Sequence, residues 1–319
     1  MKEYTLRVAA KILLGLESTQ ALAIGSDIER WMQLNTSTAV RLLPYDWPLF
    51  PYHRMLAHAE HLERRFKALL KQKRSQSAQQ DDALALLIRG SDGSGGLSDE
   101  DLIGQVNILF IAGHETTSNA LTWTLFLLAE HPALMADLLD ELHGVLHGDA
   151  PTVEQLGRLP LLERVIKESL RLFPPVVYVY RVATEPFELG PYALPQRSTV
   201  ALSFYVTHHL PEVYPQPEKF LPDRWRTAKP TPYMYLPFGA GPRTCIGASF
   251  SMMSLRITLA MILQRYRFEV VPRARIDRKV VITLSPRHGM PMMIHRQDRR
   301  FQKTTVCGNV HEMVDLKSP

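Results

Sequence analysis

Cysteine is nearly absent from this chain: two residues, Cys245 and Cys307, stand among 319. Two thiols so far apart in sequence do not make a disulfide framework, and a reducing, cytoplasmic setting is expected. Long apolar runs are missing too. No stretch of about 18 uninterrupted apolar residues occurs, so no transmembrane helix is expected, and the first residues do not read as a signal peptide. There are no internal repeats. The 12 histidines show no zinc-ligand spacing. Lysine and arginine number 37 against 32 acidic residues, a net charge of +5. The basic residues are dispersed, and no nucleic-acid motif accompanies them. The excess is either a mildly basic surface or, in part, a docking face for an acidic partner protein.

What is present is an ordinary globular composition, 45% hydrophobic and 22% charged. Residues 1–16 read as an amphipathic helix with Leu6, Ala9, Ala10, Leu13 and Leu14 on one side. Pro44, Pro48 and Pro51 break the chain over 41–54. Helices are expected over 55–73 and 82–89, then a Gly/Ser/Asp loop over 90–96. The longest pattern runs from 98 to 130. Ser98 and Asp101 open it as a capping box, with Leu97 and Leu102 as a hydrophobic staple. At 1.5 Å per residue it would reach about 48 Å. Pro132 stops and restarts it. Two more helices are expected over 132–146 and 160–172.

Beyond Pro174 and Pro175 the texture changes to strand character over 176–182, 199–205, 268–271, 280–284 and 292–295. Between them lies a proline- and aromatic-rich meander, 208–237, and a helix over 248–266. The stretch 297–319 is polar and aperiodic and is expected to be disordered. The fold class expected is mainly α (α+β), helix-rich with a small segregated sheet, in one domain over 1–296.

Four segments carry chemistry. The first is Phe238-Gly239-Ala240-Gly241-Pro242-Arg243-Thr244-Cys245-Ile246-Gly247. It sets a cysteine among glycine turns at the start of a helix, beside Arg243, where a thiolate is favoured. Gly241 and Gly247 lack the Cβ that would keep backbone away from a flat ligand. The second is Ala112-Gly113-His114-Glu115-Thr116-Thr117, a polar run inside an otherwise apolar helix. Either its hydroxyls merely bond back to carbonyls one turn earlier, or it faces a reaction site. The third is Glu168-Ser169-Leu170-Arg171. Such a pair, if exposed, is worth about 0.2–0.5 kcal/mol. The fourth is Phe220-Leu221-Pro222-Asp223-Arg224-Trp225 in the meander.

Taken together, these segments resemble the cytochrome P-450 superfamily, the haem-thiolate monooxygenases. The spacing F-x-x-G-x-R-x-C-x-G resembles the family's haem-ligand loop, and A-G-x-[DE]-T its acid–alcohol pair. The pair E-x-x-R and the meander's aromatic-x-Pro-acid-Arg-aromatic segment complete the likeness. Trp225 stands where phenylalanine is more usual. The resemblance implies a P-450 fold whose N-terminal part is missing from this chain. It implies haem b as cofactor, with Cys245 as axial ligand of the iron.

The same resemblance distributes the remaining roles. Phe238, Gly239, Gly247 and Ala112 would surround the haem, and Arg243 and Arg181 would meet its propionates. Arg181 would otherwise be a plain exposed strand arginine. Thr116 would donate a hydrogen bond during dioxygen reduction, and Glu115 would link the site to solvent protons. Glu168, Arg171 and Arg224 would form a structural network. Leu109, Val176, Val177 and Leu284 would line the pocket or else be plain core. His114 is expected off the Thr116 face, and Cys307 as a free surface thiol.

The implied reaction inserts one oxygen atom of O2 into an apolar substrate. Electrons would come from NAD(P)H through a separate ferredoxin or flavoprotein, since no flavin or iron–sulfur motif occurs here. Two rival readings are an inactive haem-binding fragment and a peroxygenase or rearrangement enzyme on the same scaffold.

Overall fold

Helix α1 (Lys2–Leu14) buries Leu6, Ala9, Ala10 and Leu14, the face its apolar spacing marks. It stops at Gly15, which takes the left-handed conformation (φ 60°) that closes a helix without a Cβ penalty. A computed structural model describes residues 1–75, 81–91 and 96–316, in two units, Met1–Ser118 and Asn119–Pro319.

The first unit continues with α2 (Ser18–Asn35), α3 (Thr38–Leu42), α4 (Pro51–Arg74), α5 (Ala83–Ser91) and most of α6 (Asp99–Ala129). The 41–54 break is shorter than its prolines suggest, because Pro51 occupies the first turn of α4, where a missing N–H costs nothing. The sequence assigned no element over 17–40. The buried set Ala21, Ile24, Gly25 and Ile28 has helical spacing but is short and interrupted by a glycine. Leu14, Ile28, Phe66, Leu84, Leu102 and Phe110 meet in this unit's core. At its edge the Lys73 ammonium donates to Asp82 at 2.6 Å. Asp82 also accepts from the Ala85 N–H (3.0 Å), which caps α5. The capping box of α6 forms as read. The Asp101 N–H donates to Ser98 Oγ, and the Ser98 N–H to Asp101 Oδ2, both at 3.1 Å. Residues 92–95 of the expected 90–96 loop lie outside the described residues, and Gly90 and Ser91 belong to α5.

The second unit holds the end of α6, then α7 (Pro132–Leu146), α8 (Val153–Leu156) and α9 (Pro160–Leu172). Its core is built on Trp123, stacked on Phe173 at 4.4 Å, with the indole N–H donating to the Leu284 carbonyl (3.2 Å). The expected small sheet is four antiparallel two-stranded ladders. These are β1 (Tyr178–Val182) with β4 (Thr199–Ser203), β2 (Phe187–Leu189) with β3 (Tyr192–Leu194), β5 (Tyr266–Val270) with β8 (Met292–Arg296), and β6 (Arg278–Val280) with β7 (Leu284–Pro286). Of the expected 280–284 strand, Val280 ends β6, Leu284 opens β7, and 281–283 turn between them. The end of 199–205 is helical, α10 (Phe204–His208), started by Ser203 Oγ accepting the Val206 N–H at 3.2 Å. Helix α11 (Ala248–Leu263) follows the glycine-rich loop.

The tail differs most from expectation. As far as Leu316 it is not a disordered appendage: Val306, Val310, Met313, Val314 and Leu316 are buried in the second unit's core. Its backbone pairs with 273–276, through Arg273 N–H to Thr305 O (2.7 Å) and Ile276 N–H to Cys307 O (2.8 Å). A few apolar residues without a period suffice when an existing surface supplies the partner face. Residues 317–319 of that expectation lie outside the described residues. Among the described residues no single helix is long and apolar enough to cross a membrane.

Candidate functional site

The loop before α11 is shaped by its two glycines. Gly239 and Gly241 take φ of 71° and 70°, a region costly for any residue with a Cβ. The resulting turns fold the loop back on itself. The Cys245 N–H donates to the Phe238 carbonyl (2.8 Å), and the Gly239 N–H to Leu236 O (3.0 Å). Thr244 clamps the middle, its hydroxyl donating to Gly241 O at 2.7 Å. Phe238 anchors the loop by packing against the core. Cys245 is then a free, exposed thiol two residues ahead of Gly247, the N-cap of α11. Ile246 beside it is 91% exposed. The Ala248 N–H bonds the Cys245 carbonyl (3.3 Å).

Behind the loop lies the network read from E-x-x-R. Glu168 and Arg171 are wholly buried, so the small value of an exposed pair does not apply. Arg171 grips the carboxylate with both edges of its fork, Nε to Oε2 at 3.0 Å and Nη2 to Oε1 at 2.9 Å. Arg224 Nε donates to Oε1 at 2.8 Å, and the Leu221 N–H to the same oxygen at 3.1 Å. The indole of Trp225 donates to Oε2 at 2.9 Å. Glu168 therefore accepts five hydrogen bonds, which is what makes a buried carboxylate tolerable. Trp225, read from sequence as a minor departure, is a working member of the network, because phenylalanine has no N–H to give. Arg224 also donates to Pro215 O (2.8 Å) and Gln216 O (3.1 Å), and Arg171 to His208 O (2.8 Å), so the meander is tied to α9.

His208 was not singled out as a site residue. It is fully buried, and each ring nitrogen has one partner. Nδ1 meets the Arg171 carbonyl at 3.1 Å, and Nε2 meets the Leu236 N–H at 2.7 Å. A carbonyl can only accept and an amide N–H only donate, so the ring is the neutral Nδ1–H tautomer. Burial, the largest cause, pushes its pKa down to about 3. The unfolded chain takes up this proton near the ordinary histidine value of about 6.5. Between those values the unfolded state binds more protons, so this contribution to stability is complete above about 6.5 and declines toward about 3, by up to about 1.4 kcal/mol per pH unit. Urea melts at a series of pH values should show that slope, and a His208→Gln variant should flatten it.

In the first unit, α6 is continuous through Ala112, Glu115 and Thr116. The Thr116 hydroxyl donates to Ala112 O (2.7 Å) and that of Thr117 to Gly113 O (3.3 Å). The intrahelical back-bonding is therefore real. Ala112 is exposed, Glu115 and Thr116 half-buried. His114 bonds the Phe110 carbonyl at 2.8 Å.

Other expected residues sort as follows. Arg181 lies exposed on β1 opposite Val200, donating to the Tyr180 carbonyl (2.8 Å), and Arg243 is exposed on the loop. Neither joins an ion pair with another described residue. Leu284 and Val177 are buried in the second unit's core. Cys307 is a free, exposed thiol, as expected.

The residues present fit a flat, iron-bearing group. The nearest neighbour that a Cβ on Gly247 would meet is the Cys245 sulfur, at 3.8 Å, so the glycine leaves the space beside the sulfur open. A thiolate is the protein donor that pushes electron density onto haem iron. Arg243 and Arg181 are cations free for carboxylates.

Three comparisons bear on this geometry. The family model described as cytochrome P-450 matches residues 2–290. Cyclooctatin synthase of Streptomyces melanosporofaciens is 40% identical over 218 residues, covering 67% of this chain and 48% of that protein. Cytokinin hydroxylase of Arabidopsis thaliana is 36% identical over 222 residues, 68% of this chain and 43% of that protein. The chain thus spans less than half the length of these curated relatives. A retinoic acid-bound cyanobacterial member superposes with a TM-score of 0.82 at 27% identity, over 92% of this chain and 68% of that one.

Proposed function

The chain belongs to the cytochrome P-450 family, whose cofactor is haem b, and from that premise we propose that it serves haem-thiolate monooxygenation. The observation that carries this reading is Cys245, an exposed thiol held by turns at the head of α11 beside a residue with no side chain. Haem b, when bound, supplies the activation of dioxygen, and the protein supplies the ligand, the protons and the pocket. Cys245 would supply the sulfur ligand. Phe238 and Gly239 fix the loop, Gly247 keeps the face beside the sulfur clear, and Arg243 and Arg181 hold the propionates. Ala112, with its small side chain, would be a haem-contacting residue. Thr116 exchanges its internal bond to Ala112 for donation during oxygen reduction, and Glu115 relays protons from solvent. The substrate is an apolar organic molecule, and electrons arrive from NAD(P)H through a ferredoxin or flavoprotein.

The first test is the carbon monoxide difference spectrum of the reduced, haem-loaded chain. A thiolate-type Soret shift supports the reading, and a neutral-ligand signature overturns it. The second test concerns Thr116. The Thr116→Ala variant should fold as well as the parent, since alanine is the better helix former. Product formed per oxygen consumed should drop about tenfold or more. A variant that stays fully coupled would remove Thr116 from the site.

A further inference from the structure

Two features of the second unit are distant in sequence, the Glu168 network on α9 and the cysteine loop before α11. The His208 side chain bonds to both. His208 donates from Nδ1 to the carbonyl of Arg171, in the last turn of α9, where a helix leaves its carbonyls without internal partners. The same residue's backbone carbonyl accepts from Arg171 Nη1 (2.8 Å), so the two residues are latched both ways. On its other side Nε2 accepts the Leu236 N–H. Leu236 in turn accepts from Gly239, and Phe238 from Cys245. The path from α9 to the sulfur-bearing residue is thus a run of hydrogen bonds broken only by short covalent stretches.

Packing fixes the ring. Tyr235 stacks on it with centroids 5.6 Å apart and planes at 28°, and Tyr214 meets its edge at 6.4 Å. Both tyrosines are held at their hydroxyls, Tyr235 donating to Lys167 O (3.0 Å) and Tyr214 to Met234 O (2.9 Å). The buried imidazole is thus packed on its face and edge, and its bonds to Arg171 O and the Leu236 N–H tie that N–H to α9.

We propose that His208 is a positioning residue for the axial thiolate, setting the cysteine loop through its bond to the Leu236 N–H. This rests on the haem-thiolate reading for its consequence at the iron, though the coupling itself belongs to the protein alone. A residue that merely stabilised the meander would act through either nitrogen. A positioning residue acts through Nε2.

Two variants separate these roles. In His208→Asn the short amide keeps a donor near the Nδ1 position and loses the acceptor for Leu236. In His208→Gln the longer amide keeps an acceptor near Nε2 and loses the donor to Arg171. Each forfeits one hydrogen bond, so both should melt at similar urea concentrations. Amide hydrogen exchange is read first, on the chain without added haem. The Leu236 and Cys245 amides should exchange about tenfold or more faster in the Asn variant and within about threefold of the parent in the Gln variant.

The carbon monoxide difference spectrum of the haem-loaded proteins is read second. The thiolate-type fraction should fall in the Asn variant and hold in the Gln variant. Equal behaviour of the two variants, or faster exchange at Leu236 with none at Cys245, overturns the proposal. If the parent itself shows no thiolate signature, the haem reading fails, and the exchange comparison still decides the coupling. Should the Asn variant not fold, the bond is tested in the parent by nitrogen–nitrogen scalar coupling between the Leu236 amide and His208 Nε2. Its presence supports the proposal and its absence sinks it.

Discussion

Replacing Glu168 with glutamine should cost several kcal/mol of folding stability, although the side chain keeps its size. The carboxylate accepts five hydrogen bonds from Arg171, Leu221, Arg224 and Trp225. A carboxamide offers one acceptor oxygen and turns an NH2 toward donors. At least one of Arg171, Arg224 and Trp225 then loses its partner, and Arg171 is buried without access to water. Breaking a buried pair from one side costs about 3–5 kcal/mol, mostly the penalty of the stranded charge. That is a large share of the roughly 5–15 kcal/mol that holds a typical domain.

The damage should be local first. The segment 204–237 hangs on α9 through these bonds, whereas the Trp123–Phe173 core does not. Urea unfolding should show the loss, and limited proteolysis should show cleavage beginning in 208–237. A Glu168→Gln protein that melts within about 1 kcal/mol of the parent would mean that the charge is dispensable.

Cys245→Ser should do the opposite. The thiol is exposed, so folding stability should stay within about 0.5 kcal/mol of the parent. The thiolate-type carbon monoxide signature should vanish, because serine's hydroxyl does not ionise at neutral pH and is no substitute for a soft anionic sulfur. Cys307→Ser is the control. Cys307 lies in the tail, with its sulfur 3.5 Å from the Arg273 carbonyl, and its loss should leave the spectrum intact. If Cys245→Ser retained the thiolate signature, another ligand would hold the iron and the site would be misassigned. The two substitutions thus separate the frame from the chemistry.

The motifs that carry the site were legible because they are local. A capping box, a proline at a helix start and a glycine turn each act within a few residues. So Ser98 with Asp101, Pro132, Pro160 and the 238–247 loop read correctly from the residues alone. Helices α7 and α9 matched to the residue for the same reason. Elements whose evidence is a partner elsewhere were not legible. Helix α2 shows its face only against α1 and α4. The β2–β3 hairpin is three residues a side, and the strand read over 280–284 is a hairpin turn at 281–283 flanked by the paired Val280 and Leu284. The tail looks polar until Val306, Val310 and Val314 are given a surface to cover.

The site divides along the same line. The sequence by itself determined the family, the glycine turns of the Cys245 loop, and the Glu168, Arg171 and Arg224 of the network, since each motif is a set of fixed residue types at short local spacing. Only the tertiary structure decided that Glu168 accepts five bonds, that Trp225 supplies one of them, and that Leu284 belongs to the core. It alone placed His208 between Arg171 and Leu236. Burial and hydrogen-bond saturation depend on what the rest of the chain brings to a point in space, and no window along the sequence contains that information.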